Sequence, residues 1–132
     1  MLASFKSDNL DAHYLAYFEL FDQHCFFEAH EVLEQLWLPA RSRPEGQFYK
    51  ALIQLAGGFV HLQKGRAGPA TALFKLSLAN LEQYPVIYRR FAVGSLRRLL
   101  AEWLRRLEPI GLAAADVSPT DAPKLANLLG KG

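Results

Sequence analysis

Apolar residues recur along this chain at helical spacing, and the densest stretch is Phe48–Leu62, FYKALIQLAGGFVHL. Phe48, Leu52, Leu55 and Phe59 fall on one flank of a helix there, and Tyr49, Ile53, Ala56 and Val60 on another. A helix apolar on nearly every side needs neighbours on every side, so Ile53 and Phe59 are both expected in the core. One narrow stripe breaks the pattern. Gln47, Gln54 and His61 are spaced by seven and lie within about 40° of one another, with Lys50 and Gly58 at the edges. Buried polar groups need partners, which makes Gln54 and His61 the residues to follow.

The flanking patterns are helical too. A first helix is expected from a cap at Asp8 or Asn9 to about His24, with Tyr14, Tyr17, Phe18 and Phe21 in its apolar arc. A tight break at His24-Cys25 leads to a second helix from Phe26 to about Leu38, ended by Pro39 and the proline-bearing run after it. Ser42 is the expected cap of the central helix, which stops at Lys64-Gly65, a cation followed by the usual C-cap residue. Pro69 at a first helical position opens a fourth helix to Gln83, whose apolar arc includes Asn80. A fifth is expected from about Ile87 to Leu107, then loop over Gly111–Asp121 and a short last helix over Pro123–Leu129. Nothing alternates with period two, and no internal repeat reaches three copies. The expected fold is all-α: a compact bundle of about five helices plus a short C-terminal one, mainly up-and-down, in one domain over residues 1–132.

Composition narrows the function classes. Hydrophobic content of 51% and charged content of 21% are those of an ordinary globular protein. No apolar run approaches the ~20 residues of a membrane helix, and the N-terminus has no apolar signal core, so no membrane partner and a cytoplasmic location are expected. Cys25 stands alone, which excludes an intrachain disulfide, fits a reducing compartment, and reads as a packing residue rather than a nucleophile. The net charge of +2 is uneven: residues 1–64 carry −3 and residues 65–132 carry +5. That asymmetry gives dissimilar faces, not the footprint of a nucleic-acid binder. There is no phosphate loop, nucleophile elbow or dinucleotide fingerprint.

The second helix carries the candidate chemistry, FFEAHEVLEQLW. His30 and Glu34 are an i,i+4 pair at the border of its apolar arc, beside Trp37. If the central helix packs there, His30, Glu34, Gln54 and His61 converge. In a metal reading, His30, Glu34 and His61 supply two imidazoles and a carboxylate, a set suited to zinc, iron or manganese, with Glu31 as general base. The zincin pattern fails, because its second histidine is here Glu34, and the paired Glu-x-x-His of di-iron bundles is missing. In a structural reading the same cluster only fixes helix packing, and on the residues alone this reading leads. Gly57-Gly58 inside a helix costs about 1 kcal/mol per glycine relative to alanine, which points to a close approach by another helix or by a ligand.

Phe27-Glu-Ala-His-Glu-x-Leu-Glu-x-x-Trp37, then Ala51-Leu-Ile-Gln-Leu-Ala56, His61 and Gly65, resembles domain-of-unknown-function family 309, small and mostly bacterial helical proteins. The resemblance covers about residues 11–82 and leaves 86–132 as a helical extension. It implies a compact bundle with His30, Glu31, Glu34, Trp37, Gln54 and His61 on motif positions. It also implies a metal-dependent hydrolase, a label that rests on pattern rather than on a known reaction. On those positions Gln54 and Trp37 are candidate ligand contacts. Outside the resemblance, Arg90, Arg97, Arg98, Arg105 and Arg106 share one broad face of the fifth helix. It reads as a solvated face, with an acidic protein partner as the alternative there. The chain is expected as a monomer or homodimer.

Overall fold

In the computed structural model, which describes residues 11–107 and 122–130, each helix packs on the next along the chain. They are α1 (Ala12–Asp22), α2 (Phe26–Ala40), α3 (Gly46–Gln63), α4 (Ala67–Leu81) and α5 (Val93–Leu107), with a 3₁₀ turn at Leu125–Leu128. Among the described residues there is no β-strand, and the protein is all-α as its periodicity predicts. The expected cap at Asp8 or Asn9 and the loop at Gly111–Asp121 lie outside the described residues. Within them, Asp11 caps α1, its carboxylate accepting from the His13 N–H at 2.6 Å.

The ends of the helices follow local chemistry. After α1, His24 takes a left-handed φ of 65°, the His24 N–H donates to the Phe21 carbonyl and the Cys25 N–H to the Leu20 carbonyl, both at 2.9 Å. Those two bonds form a Schellman stop, and they account for the break at His24-Cys25. α3 ends the same way, with Gly65 at φ 71° and the Arg66 N–H donating to the His61 carbonyl at 2.9 Å. α2 runs two residues past Leu38 and contains Pro39 in its last turn. α4 starts at Ala67 rather than Pro69, which the first turn tolerates because its N–H groups have no helical partner anyway.

α3 is keyed from both sides. The Tyr17 hydroxyl on α1 donates to the Leu52 carbonyl at 2.6 Å, and the buried Ser77 hydroxyl on α4 to the Ala51 carbonyl at 2.7 Å. At its start Tyr84 does what was expected of Ser42. Its hydroxyl accepts from the Phe48 N–H at 2.8 Å and donates to the Pro44 carbonyl at 2.6 Å. Phe59, 1% exposed, sits among Phe26 of α2, Phe74 of α4 and Trp103 of α5 at ring separations of 5.0–5.2 Å. Stacked and edge-to-face rings at that spacing add to the area they bury.

Two expectations are corrected. The fifth helix does not begin at Ile87 but at Val93. Tyr88 and Phe91 exchange both backbone hydrogen bonds, at 3.0 and 2.9 Å, around Arg89 and Arg90 with φ of 48° and 63°. Such a two-residue left-handed turn excludes a helix, and Arg90 therefore lies in the turn and not on a helical face. The conformation costs an arginine of the order of 1–3 kcal/mol, and anchoring contacts hold it. The Tyr14 hydroxyl donates to the Arg89 carbonyl at 3.0 Å, and the Arg89 guanidinium lies 5.7 and 5.5 Å from the ring centres of Tyr14 and Tyr49. The Gly130 N–H donates to the Arg90 carbonyl, which ties the turn to the C-terminal segment. That segment is anchored to α1 as well, where the Asp22 carboxylate accepts from the Leu125 and Ala126 N–H groups at 2.7 and 3.1 Å. Its last helix is the short 3₁₀ turn, not the full stretch Pro123–Leu129.

The second correction concerns α3, which the described residues do not enclose on every side. Phe48, Leu52, Leu55, Ala56 and Phe59 are buried, but Ile53, Gln54, Gly57, Val60 and His61 are only half-buried. Those positions fall at i, i+1, i+4, i+7 and i+8, one continuous stripe. The apolar residues Ile53 and Val60 look like core in the sequence because periodicity records side-chain type and not what lies opposite.

Candidate functional site

The open stripe of α3 is the floor of a groove. Phe27 and His30 of α2 wall one side and Leu73 of α4 the other, with Ile53, Gln54, Gly57, Val60, His61 and Lys64 between them. The groove's volume is about 310 Å³, at the small end of the 300–1,000 Å³ usual for ligand clefts. The placement follows from the helix ends. The short link after α2 returns α3 antiparallel, so the first turns of α2 meet the last turns of α3. The Schellman stop at Gly65 then sets Lys64 at the rim.

The polar groups differ in how they are satisfied. Gln54 is held by α4, its Oε1 accepting from Asn80 Nδ2 at 2.9 Å. Asn80, expected inside an apolar arc, is half-buried and has Gln54 as its partner. The Nδ1 atoms of His30 and His61 are buried with no hydrogen-bond partner among the described residues. A buried polar atom left unpaired costs about 1–3 kcal/mol, so a protein retains one where packing is not the only requirement. The Phe27 ring, 53% exposed, stacks on His30 at 6.1 Å and forms an apolar rim.

The other expected site residues stand apart. Glu34 is half-buried one turn along α2 and does not line the groove, so His30, Gln54 and His61 meet and Glu34 does not. Trp37 lies about 10 Å along the helix from His30. The Lys50 ammonium is 5.7 Å from its ring centre, and Trp37 Nε1 is buried without a partner. Glu31 is exposed. Among the described residues no three His, Cys, Asp or Glu side chains gather closely enough to hold a metal ion. The His30, Glu34 and His61 set therefore does not fit a zinc, iron or manganese centre in this geometry. Phe27, Ile53, Val60, Lys64 and Leu73 are groove residues that sequence reasoning did not assign to a site, whereas Gly57 was marked as a place where a helix or a ligand comes close. The signal for them was present: every uncharged polar residue of α3 before its last turn falls on or beside the stripe they occupy.

A second groove, of about 430 Å³, lies between α4 and α5. Leu78, Glu82, Val86, Gly94, Arg97, Arg98 and Ala101 line it. It takes two of the arginines assigned to the fifth helix. Arg105 pairs with Glu102 at 3.5 Å in solvent, and the Arg106 guanidinium covers Trp103 at 4.3 Å. No described helix is long and apolar enough to cross a membrane.

Burial also sets the titration of the core tyrosines. It pushes Tyr14 and Tyr17 well above the usual tyrosine range. Tyr49 is pushed up to about 12, with the Arg89 guanidinium opposing the rise.

No curated protein and no solved structure matches the chain. Residues 14–73, from α1 into the first half of α4 and with His30, Gln54 and His61 among them, match the family described as Domain of unknown function (DUF309).

Proposed function

We propose that the protein binds a small, largely apolar ligand in the groove between α2, α3 and α4, with His30, Gln54 and His61 as its polar contacts. One observation carries this reading: His30, Gln54 and His61 line the same groove, and each imidazole also has a buried Nδ1 with no hydrogen-bond partner among the described residues. In a purely structural cluster each unpaired atom lowers stability, and pairing would be the better solution. Ile53, Val60 and Leu73 supply the apolar contact that small ligands bury. The hydrolase expected from the family label has no step derivable from these residues, since the carboxylates Glu31 and Glu34 do not line the groove.

A structural role is favoured for one member only. The Asn80–Gln54 hydrogen bond ties α4 to α3 and is complete without a ligand. Gln54 thus orients the groove as well as lining it.

The test is nuclear magnetic resonance of the whole chain titrated with 4-phenyl-1-butanol, a neutral probe of suitable size. Methyl signals of Ile53, Val60 and Leu73 and imidazole signals of His30 and His61 are expected to move together and saturate with one constant. Shifts that stay absent, or that appear instead at Leu78, Val86 and Ala101, count against the reading.

A further inference from the structure

From the groove's donor pattern we infer that its ligand is an amphiphilic organic anion, an aryl- or alkyl-carboxylate whose acid group sits at the Lys64 end. This rests on the reading above that the groove takes a ligand. Three titratable side chains line the groove, His30, His61 and Lys64, and each can carry positive charge but none negative. No aspartate or glutamate is among the lining residues, although α2 carries Glu28, Glu31 and Glu34.

The uncharged polar group points the same way. Gln54 Oε1 already accepts from the Asn80 amide, and both Nε2 hydrogens of Gln54 have no bond to Asn80 and are left to offer. Lys64 has three donors and no acceptor, and an imidazole donates through either nitrogen according to tautomer or charge. A groove that offers donors is complemented by a group that only accepts, and an ionised carboxylate is such a group. The titratable residues also cluster. His61 and Lys64 are one turn apart at the end of α3, and His30 is in the second turn of α2. Ile53, Gly57 and Leu73 leave the remainder of the floor and far wall apolar, which suits a hydrocarbon or aromatic tail. The second groove differs in this respect: Arg97 and Arg98 there share the lining with Glu82.

Three probes of one shape separate the alternatives: 4-phenylbutyrate, 4-phenyl-1-butanol and 4-phenylbutylamine. Each is titrated into the full chain by calorimetry, with resonance shifts locating the site, and into a Lys64→Met variant. Exposed Lys64 can be replaced by a side chain of similar length. The carboxylate is expected to bind roughly fivefold more tightly than the alcohol, a charge-assisted contact at a partly exposed site, and the amine more weakly than either. Lys64→Met should bring the ratio of carboxylate to alcohol affinity from roughly fivefold to near one.

Equal affinity for acid and alcohol, or preference for the amine, overturns the anion assignment and leaves the groove as a neutral site. A preference that survives Lys64→Met, or that maps to Arg97 and Arg98, overturns it as well. If none of the three probes binds, the ligand-groove reading itself falls, and the anion assignment with it.

Discussion

Gly57 and Gly58 are neighbours on α3 and face opposite surroundings. A Cβ on Gly58 would come within 3.0 Å of three ring carbons of Phe74, a buried residue braced by Phe59 and Trp103. A Cβ on Gly57 would meet only the tip of Leu73, at 3.3 Å. The first glycine lets two helices approach; the second leaves floor space in an open groove. α3 is thus apolar on two flanks for two reasons. One flank is packed by aromatic rings, and the other is apolar where the described residues leave it half-buried. Side chains kept apolar toward a cavity, beside unpaired imidazoles, separate the requirements of binding from those of folding.

The largest expected effect contrasts the two flanks directly. Phe59→Asp puts an unpaired charge among four aromatic rings and should abolish cooperative unfolding in circular dichroism. Ile53→Asp, on the half-buried stripe, should leave a folded protein that has lost about 1 kcal/mol. Similar losses for both would mean that the groove is closed in solution.

The packed flank should also fail in alkali. Tyr14, Tyr17 and Tyr49 are held above the ordinary value of 10.0, so below pH 10 both folded and unfolded chains keep these protons and stability is complete. Above it the unfolded chain releases them first. For Tyr49 the loss runs from pH 10 to about 12, and it begins at pH 10 for the other two as well. Each tyrosine should lower unfolding free energy by about 1.4 kcal/mol per pH unit in that window. Urea melts of the wild type and Tyr49→Phe from pH 8 to 11.5 would show it, with the variant's slope smaller by one proton. A slope unaltered by Tyr49→Phe would place that ring in water.

Gly58→Ala should cost about 1–3 kcal/mol by overpacking against Phe74. Gly57→Ala gives the smallest effect and the opposite sign. It should gain up to about 1 kcal/mol from helix propensity, less whatever Leu73 must yield. Two losses of equal size in urea melts would put both glycines on packed faces.

Much of this was legible in the chain. Tyr14, Phe18, Phe21, Leu96, Leu100 and Trp103 announce their buried faces by spacing. His24-Cys25 and Lys64-Gly65 mark helix ends that the structure closes with Schellman bonds. The Arg89–Arg90 turn was not legible, because left-handed turns are signalled by glycine and asparagine, and here distant contacts with Tyr14 and Gly130 hold arginines in that conformation. The site was legible in part. Seven-residue spacing joins Gln54 and His61, and helix order brings His30 to them. Glu34 was expected beside them, since i,i+4 spacing puts it on the same side of α2 as His30. It still does not line the cavity, because the groove occupies only the first turns of that helix. The partner of Gln54 is Asn80, a contact between helices that no spacing within either could reveal.

The division of α3 into a packed flank and a binding flank is tested most directly by Gly57→Leu, which fills the groove floor without touching the aromatic core. Unfolding free energy from urea melts and affinity for 4-phenyl-1-butanol are measured on the same preparation. A variant at least as stable as the wild type that has lost probe binding is the predicted result. Binding retained with a filled floor, or instability comparable to Gly58→Ala, would contradict it.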